Sequence, residues 1–286
     1  MTLSNLTIKA ILIDLNGTLH VGNSPINSKI IPKLTHLQEI CTSKNIAIRY
    51  LTNTSKESQS SLYNKLQKMG FGQNNDLIKK SHIFTSLVAA NSLLDKNYTK
   101  PYYILTDSAM EDMELPHYNS IEEGANTVVV GLAEEKFDYQ HMNQCFRILE
   151  KFRLEKDTTK IKNPFIAINL GRYHKTSDGN SLGPGCFAKG LEFSSDVSPI
   201  VVGKPSPKFF HSCLENISKD INPDNAIMIG DDSKDDVNGA IAAGLNGILV
   251  KTGKYQVGDE KNCPEALYVG ESFDEVVDYL TNDLLI

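Results

Sequence analysis

The chain has 286 residues, 40% of them apolar and 22% charged, a length that suits one large or two ordinary domains and a core needing no disulfide or metal staple. Its 29 Lys+Arg against 35 Asp+Glu give a formal charge of −6 with no basic cluster, which argues against a nucleic-acid partner. The longest apolar stretches, such as Val128 to Ala133, fall far short of the ~18 residues of a membrane helix, so no membrane partner is expected.

The N-terminus reaches Asp14 before a signal-peptide core can form, so a cytoplasmic location is expected and the Asn-x-Ser/Thr triplets at Asn5, Asn97 and Asn216 read as chance. Cys41, Cys145, Cys186, Cys213 and Cys263 are odd in number and widely spaced, which fits reduced thiols rather than a disulfide framework or a C-x-x-C site.

Taken in chain order, Lys9 to Asp14 is a short apolar run that ends abruptly in a carboxylate, the pattern of a buried strand. Ile30, Ile31, Leu34, Leu37 and Ile40 follow at helical spacing. Ile46 to Asn53 is again strand-like with a polar end, and Thr54-Ser55-Lys56-Glu57 reads as a capping box opening a helix that carries Leu62, Leu66 and Met69 and stops at Gly70. Between residues 82 and 199 lie further strand candidates (Tyr102 to Leu105, Thr127 to Gly131, Phe165 to Asn169) and a helix from Phe137 to Phe152. This stretch reads as a second α/β unit inserted into the first. The far end returns to the opening grammar: strand Ala226 to Asp231, helix Val237 to Ala243, strand Gly247 to Val250.

Alternating strands and helices predict an α/β fold with a doubly wound, Rossmann-like parallel sheet. Ligands of such sheets sit at the carboxyl ends of the strands, where Asp14, Thr52 and Asp231 all fall. Asp14-Leu15-Asn16-Gly17-Thr18 offers a carboxylate able to attack phosphorus, then a glycine that lets backbone amides approach an anion. The same residues could equally be a turn before Asn-Gly.

Asp231, Asp232, Asp235 and Asp236 crowd four carboxylates into six residues, a conflict that a hard divalent cation such as Mg²⁺ resolves. An EF-hand is excluded, because Asp236 stands where Gly is required and Ala242 where Glu is required; a solvated acidic helix start is the alternative. Lys204, just before Pro205, could hold a phosphoryl oxygen, and Pro205 or Pro207 could open the next helix. Thr52 and Asn53 could bind phosphate oxygens or cap a helix. Gly183-Pro184-Gly185 could bring amides to a substrate or simply turn the chain, and His20, Arg172, His174 and Lys175 could line a site.

These segments, from Asp14 to His20, Thr52 to Ser58, Leu182 to Phe187, Val201 to Pro205, Met228 to Asp232 and Ile248 to Tyr255, resemble the haloacid dehalogenase superfamily of phosphohydrolases, in particular its subfamily IIA with a large α/β cap. The resemblance covers nearly the whole chain and is weakest between Lys96 and Glu123. It implies a catalytic core of residues 1–81 and 200–286 with a cap of residues 82–199. It further implies that Asp14 is the nucleophile and a Mg²⁺ ligand, with Asp231 and the Asn16 main-chain carbonyl as the other protein ligands. Leu15, Asn16, Thr52, Asn53 and Lys204 would bind the transferring phosphoryl group, and Asp232, Asp235 and Asp236 would form an outer shell.

The departure is Asn16, where most superfamily phosphatases carry an acid/base Asp. An amide cannot shuttle a proton, so good leaving groups (aryl phosphate, pyrophosphate, phosphoramidate) are expected over sugar phosphates. The expected function is a Mg²⁺-dependent phosphatase acting on a small phosphorylated molecule; the alternative is a catalytically weak or inactive phosphate-ligand-binding regulatory protein. A phospho-accepting receiver domain shares the Asp, Thr and Lys chemistry but is small and has no insertion, and dehalogenation has no need of the acidic cluster. Relatives with this cap that form dimers leave a homodimer open.

Overall fold

The computed structural model describes residues 7–72, 77–155, 160–176 and 179–285, and its elements and contacts lie among these residues. Its strands in chain order are β1 (Ala10–Asp14), β2 (His20–Val21), β3 (Ser24–Pro25), β4 (Ala47–Thr52), β5 (Ile83–Thr85), β6 (Pro101–Ile104), β7 (Thr127–Val130), β8 (Phe165–Ala167), β9 (Tyr173–Thr176), β10 (Gly179–Leu182), β11 (Ile200–Val201), β12 (Ala226–Gly230), β13 (Asn246–Val250) and β14 (Tyr268–Gly270). The chain divides into two compact units, one of residues 1–52, 59–84 and 204–286, the other of residues 53–58 and 85–203.

In the first unit six strands follow the order β14-β13-β12-β1-β4-β5. From β14 through to β4 every pairing is parallel. Winding runs outward from β1 through β4 to β5 on one side and from β12 through β13 to β14 on the other. The order therefore reverses between β1 and β12, and the crevice at their carboxyl ends is where ligands of doubly wound sheets lie. Register sets Ile13 beside Ile229, which brings Asp14 and Gly230-Asp231 out at the same sheet edge. All five residues of β1 and of β12 are buried, as continuous Ile/Leu/Met runs covered on both faces require.

The helix Ile30–Ser43 buries Ile30, Leu34, Leu37 and Cys41, spaced to form one stripe, against a core that includes Ile11, Ile13, Ile48, Tyr50 and Phe273. It ends before Asn45, which takes the left-handed φ of 57°. Pro207, not Pro205, opens the helix Pro207–Ile217, since its missing N–H costs nothing in the first turn.

The second unit has its own parallel sheet, β11-β8-β7-β6, and an antiparallel pair, β9-β10. The helix Tyr139–Leu154 begins two residues later than its apolar spacing suggests, because the Asp138 side chain accepts the His141 N–H and caps it. The glycines of Gly183-Pro184-Gly185 serve close backbone approach. Both amides donate to carbonyls, Gly183 to Arg172 and Gly185 to Gly171, and a Cβ on Gly183 would stand 2.2 Å from the Gly171 oxygen.

The capping box expected at Thr54 to Glu57 is corrected: the helix starts at Gln59. Residues 53–58 belong instead to the second unit, where Ser55 Oγ accepts the Leu132 N–H, the Lys56 carbonyl accepts Thr106 Oγ1 and Ser58 Oγ donates to Glu111. All five cysteines are free thiols, four buried and Cys186 exposed, and no described helix is long and apolar enough to cross a membrane. Asn5 lies outside the described residues.

Ile11 is fully buried in β1, so Ile11→Ala is expected to lower the unfolding free energy by about 2–5 kcal/mol in urea titrations. Val257→Ala, at a position 97% exposed, is expected to stay within about 0.5 kcal/mol of the parent protein.

Candidate active site

Three carboxylates converge at the carboxyl ends of β1 and β12. Oxygens of Asp14, Asp231 and Asp236 all lie within 4.8 Å of one another, and all three residues are buried. Asp14 is the last residue of β1 and Asp231 follows the last residue of β12. Asp236 returns to the same point because residues Ser233–Asn238 wind as a wide π turn opened by Asp232, whose Oδ1 accepts the N–H groups of Lys234 and Asp235. Gly230 leaves room for that return: a Cβ there would be 2.2 Å from Asp236 Oδ2.

Lys204 lies among these acids. Its Nζ is 2.5 Å from Asp14 Oδ1 and 2.6 Å from Asp236 Oδ1, with the side chain 4% exposed. Burial alone would favour the neutral amine, yet Asp14 and Asp236 outweigh it and hold the ammonium above the ordinary lysine range. For Asp231 the balance runs the other way. Burial, then repulsion from Asp14 and Asp236, pushes its carboxyl well above the usual carboxylate range. The same burial raises Asp236 to about 7 despite its pairing with Lys204.

With all three carboxylates ionised, the Lys204 ammonium would leave two negative charges in excess, which a hard divalent cation with oxygen ligands would balance. A Cβ on Gly17 would lie 2.1 Å from Asp231 Oδ2, and one on Gly253 would lie 2.0 Å from it, so only glycine lets the backbone come this close to the carboxylate. Charge and donor type both fit a hard divalent cation.

Thr18 Oγ1 donates to Asp14 Oδ2 at 3.4 Å. Leu15 is buried, and its carbonyl accepts the Leu19 and His20 N–H groups; Asn16 is exposed. Thr52 ends β4, beside β1, while Asn53 opens a piece of the second unit, its carbonyl accepting Asn169 Nδ2. Asp232 is drawn below its ordinary range: burial opposes this, but the Lys254 ammonium 3.2 Å away and backbone N–H groups prevail. Asp235 is half-buried and raised by burial and by Asp232. His20 is buried and pushed below the usual imidazole range by burial and by Lys65. Arg172 is exposed, and the side chains of His174 and Lys175 lie outside those described.

Sequence reasoning missed Thr252 and Lys254. Thr252 Oγ1 donates to the Gly17 carbonyl and the Lys254 N–H donates to Asp231 Oδ2, each at 2.6 Å. The available signal was a hydroxyl-glycine-lysine triplet at yet another strand end.

Comparison with known proteins agrees with this geometry. A family model described as "Haloacid dehalogenase-like hydrolase" matches residues 11–118, and one described as "HAD-hyrolase-like" matches residues 201–281. Haloacid dehalogenase-like hydrolase domain-containing protein 2 of Mus musculus is 39% identical over 280 residues, covering 97% of this chain and 98% of its own. The chain belongs to the haloacid dehalogenase-like hydrolases. It is an enzyme of the phosphohydrolase class within that family. Another relative in the family, phospholysine phosphohistidine inorganic pyrophosphate phosphatase of Danio rerio, is 32% identical over 255 residues, 89% of this chain and 87% of its own. The fold is shared with glycerol phosphate phosphatase from Mycobacterium tuberculosis, solved in complex with magnesium: TM-score 0.76, 20% identity, 93% of this chain and 76% of that one.

A carboxyl raised in the folded state makes the folded chain hold more protons than the unfolded one, so stability falls as pH rises toward the folded pKa. With Asp236 near 7 against an ordinary 3.8, and Asp231 shifted the same way, the divalent-free protein is expected to melt at a lower temperature at about pH 8 than at about pH 6. Mg²⁺ is expected to flatten that slope. Melting temperatures measured across this range with EDTA and with Mg²⁺ check both; a flat profile in EDTA contradicts the charge balance described here.

Proposed function

We propose that this haloacid dehalogenase-like hydrolase is a Mg²⁺-dependent phosphatase that acts on a small phosphorylated molecule through an aspartyl phosphate on Asp14. The observation that carries the reading is the buried juxtaposition of Asp14 with Lys204 on one side and Asp231 and Asp236 on the other. Lys204 neutralises part of the charge that otherwise bars a carboxylate from approaching a phosphoryl group.

In the proposed cycle an Asp14 oxygen attacks phosphorus, and the bond from phosphorus to the leaving group breaks. Water then attacks the same phosphorus, releasing inorganic phosphate and restoring Asp14. Lys204, Thr52, Asn53 and the main chain at Leu15 and Asn16 hold the phosphoryl oxygens. Asp14, Asp231 and the Asn16 carbonyl hold Mg²⁺, which when bound supplies positive charge to the phosphoryl oxygens. Asp232, Asp235 and Asp236 orient this set from outside. A catalytic core formed by the first unit, a substrate-selecting cap formed by the second, which takes in residues 53–58 as well as 85–203, and a cytoplasmic location belong to the same proposal.

Asn16 shapes the substrate class. Its amide can neither protonate a departing alkoxide nor take a proton from the attacking water, assistance typically worth about 10²- to 10⁴-fold. Leaving groups that depart without a proton suffer least, which favours aryl phosphates, pyrophosphate and protonated phosphoramidates. The Danio rerio relative, named for phospholysine, phosphohistidine and pyrophosphate, lies in the same direction.

Phosphate release from an aryl phosphate and pyrophosphate is expected to require both Mg²⁺ and Asp14, to fall to background in Asp14→Asn, and to exceed release from alkyl phosphates. Lys204→Met is expected to lower kcat by about 10²- to 10³-fold, the loss typical of one charge-stabilising group. Asn16→Asp is expected to raise alkyl phosphate turnover on the order of 10²-fold, measured as kcat/KM. Mg²⁺ and phosphate binding without turnover on any of these substrates would instead favour a phosphate-binding regulatory protein, the reading that Asn16 motivates.

A further inference from the structure

The loop that follows β13 has no part in the proposed cycle, yet it touches both halves of the acidic centre. Strand order places β12 between β13 and β1, so a loop leaving β13 must cross the end of β12 to reach the residues that follow β1. It does so at Thr252, whose Oγ1 donates to the Gly17 carbonyl at 2.6 Å. Two residues on, the Lys254 N–H donates to Asp231 Oδ2 at 2.6 Å.

Between these anchors the fit is tight. A Cβ on Gly253 would stand 2.0 Å from Asp231 Oδ2 and 2.4 Å from Gly17 Cα, and one on Gly17 would stand 2.1 Å from the same oxygen. Oδ2 of Asp231 is thus lodged in a slot between two glycines, both at positive φ, 101° for Gly17 and 56° for Gly253. Side chains are excluded there by contact and by backbone conformation alike. The hydrogen bond to Lys254 commits Oδ2 to the loop and leaves Oδ1 as the oxygen without that commitment. Without such an anchor, repulsion from Asp14 and Asp236 would favour turning the Asp231 carboxylate away from them.

We propose that Thr252, Gly253 and Lys254 form a strap that holds Asp231 in the orientation needed to bind the divalent cation, with Thr252 as the positioning residue that ties the strap to the loop after β1. This rests on the assignment of Asp14 and Asp231 as cation ligands. Groups that orient metal ligands from behind typically contribute 10- to 100-fold to metal affinity, and Thr252 acts on Asp231 through the loop rather than touching substrate.

The test is Mg²⁺ binding to the full chain by calorimetry, together with the rise in melting temperature that Mg²⁺ produces, in the parent protein and in Thr252→Val, Thr252→Ala, Thr252→Ser and Asp231→Asn. Thr252→Val is expected to raise the Mg²⁺ Kd by about 10- to 100-fold, Thr252→Ala to do the same without a branched side chain, and Thr252→Ser to restore binding. With an aryl phosphate, the Mg²⁺ concentration for half-maximal rate should rise in parallel, while kcat at saturating Mg²⁺ holds. If whichever hydroxyl-free variant folds binds Mg²⁺ like the parent, while Asp231→Asn does not, the strap is overturned and the ligand assignment stands. If Asp231→Asn also binds like the parent, the ligand assignment fails and the strap with it.

Discussion

A lysine ammonium shut away from water between two carboxylates is the interaction on which the rest of this centre depends. Removing such charges from solvent is costly unless each meets a partner at close range. Lys204 meets Asp14 and Asp236 at 2.5 and 2.6 Å, and the arrangement still leaves acid in excess. Burial first, and then repulsion among the acids, raises Asp231 and Asp236, and the excess of acid suits the centre to a divalent cation. The fold supplies the meeting point. Only at the reversal of strand order do two neighbouring parallel strands, β1 and β12, deliver their terminal carboxylates to one crevice.

Electrostatics here is inseparable from the absence of side chains. Gly17, Gly230 and Gly253 each stand where a Cβ would overlap a carboxylate of the cluster. The glycines let backbone approach the acids closely enough for main-chain N–H groups to take part, as Lys254 does for Asp231 and Asp232 does for Asp236. Packing decides how close these like charges sit, and their separation decides how strongly they demand a counter-ion.

Much of this was legible in the sequence. Asp14 and Asp231 each interrupt a run of buried aliphatic residues, an anomaly that marks a strand end even in isolation, and Lys204 follows a similar run. The irregular winding of Ser233–Asn238 was not legible, and with it the return of Asp236 to the cluster, because a wide turn has no periodic signature. Thr54 to Glu57 had the local pattern of a helix start, but Ser55, Lys56 and Ser58 have partners far along the chain, and tertiary contacts overrode the local preference. Thr252 and Lys254 escaped for a related reason. Thr-Gly-Lys is ordinary turn chemistry, and its meaning comes from the order of three strands, which hydrophobic periodicity does not encode.

The pairing of β1 with β12 also bears on how the chain reaches its folded form. Ala10 lies beside Ala226, a separation of 226 − 10 = 216 residues, so the central strand made first during synthesis waits for a neighbour made near the end. Nearly all of the second unit, residues 85–203, emerges as one continuous stretch in that interval and can close on local contacts. The acidic centre can therefore be assembled only after the whole of that stretch has been made. Until β12 arrives, Asp14 sits at the end of a half-built sheet whose edge is open, and a chain truncated before residue 226 holds the nucleophile motif without the acids that complete it.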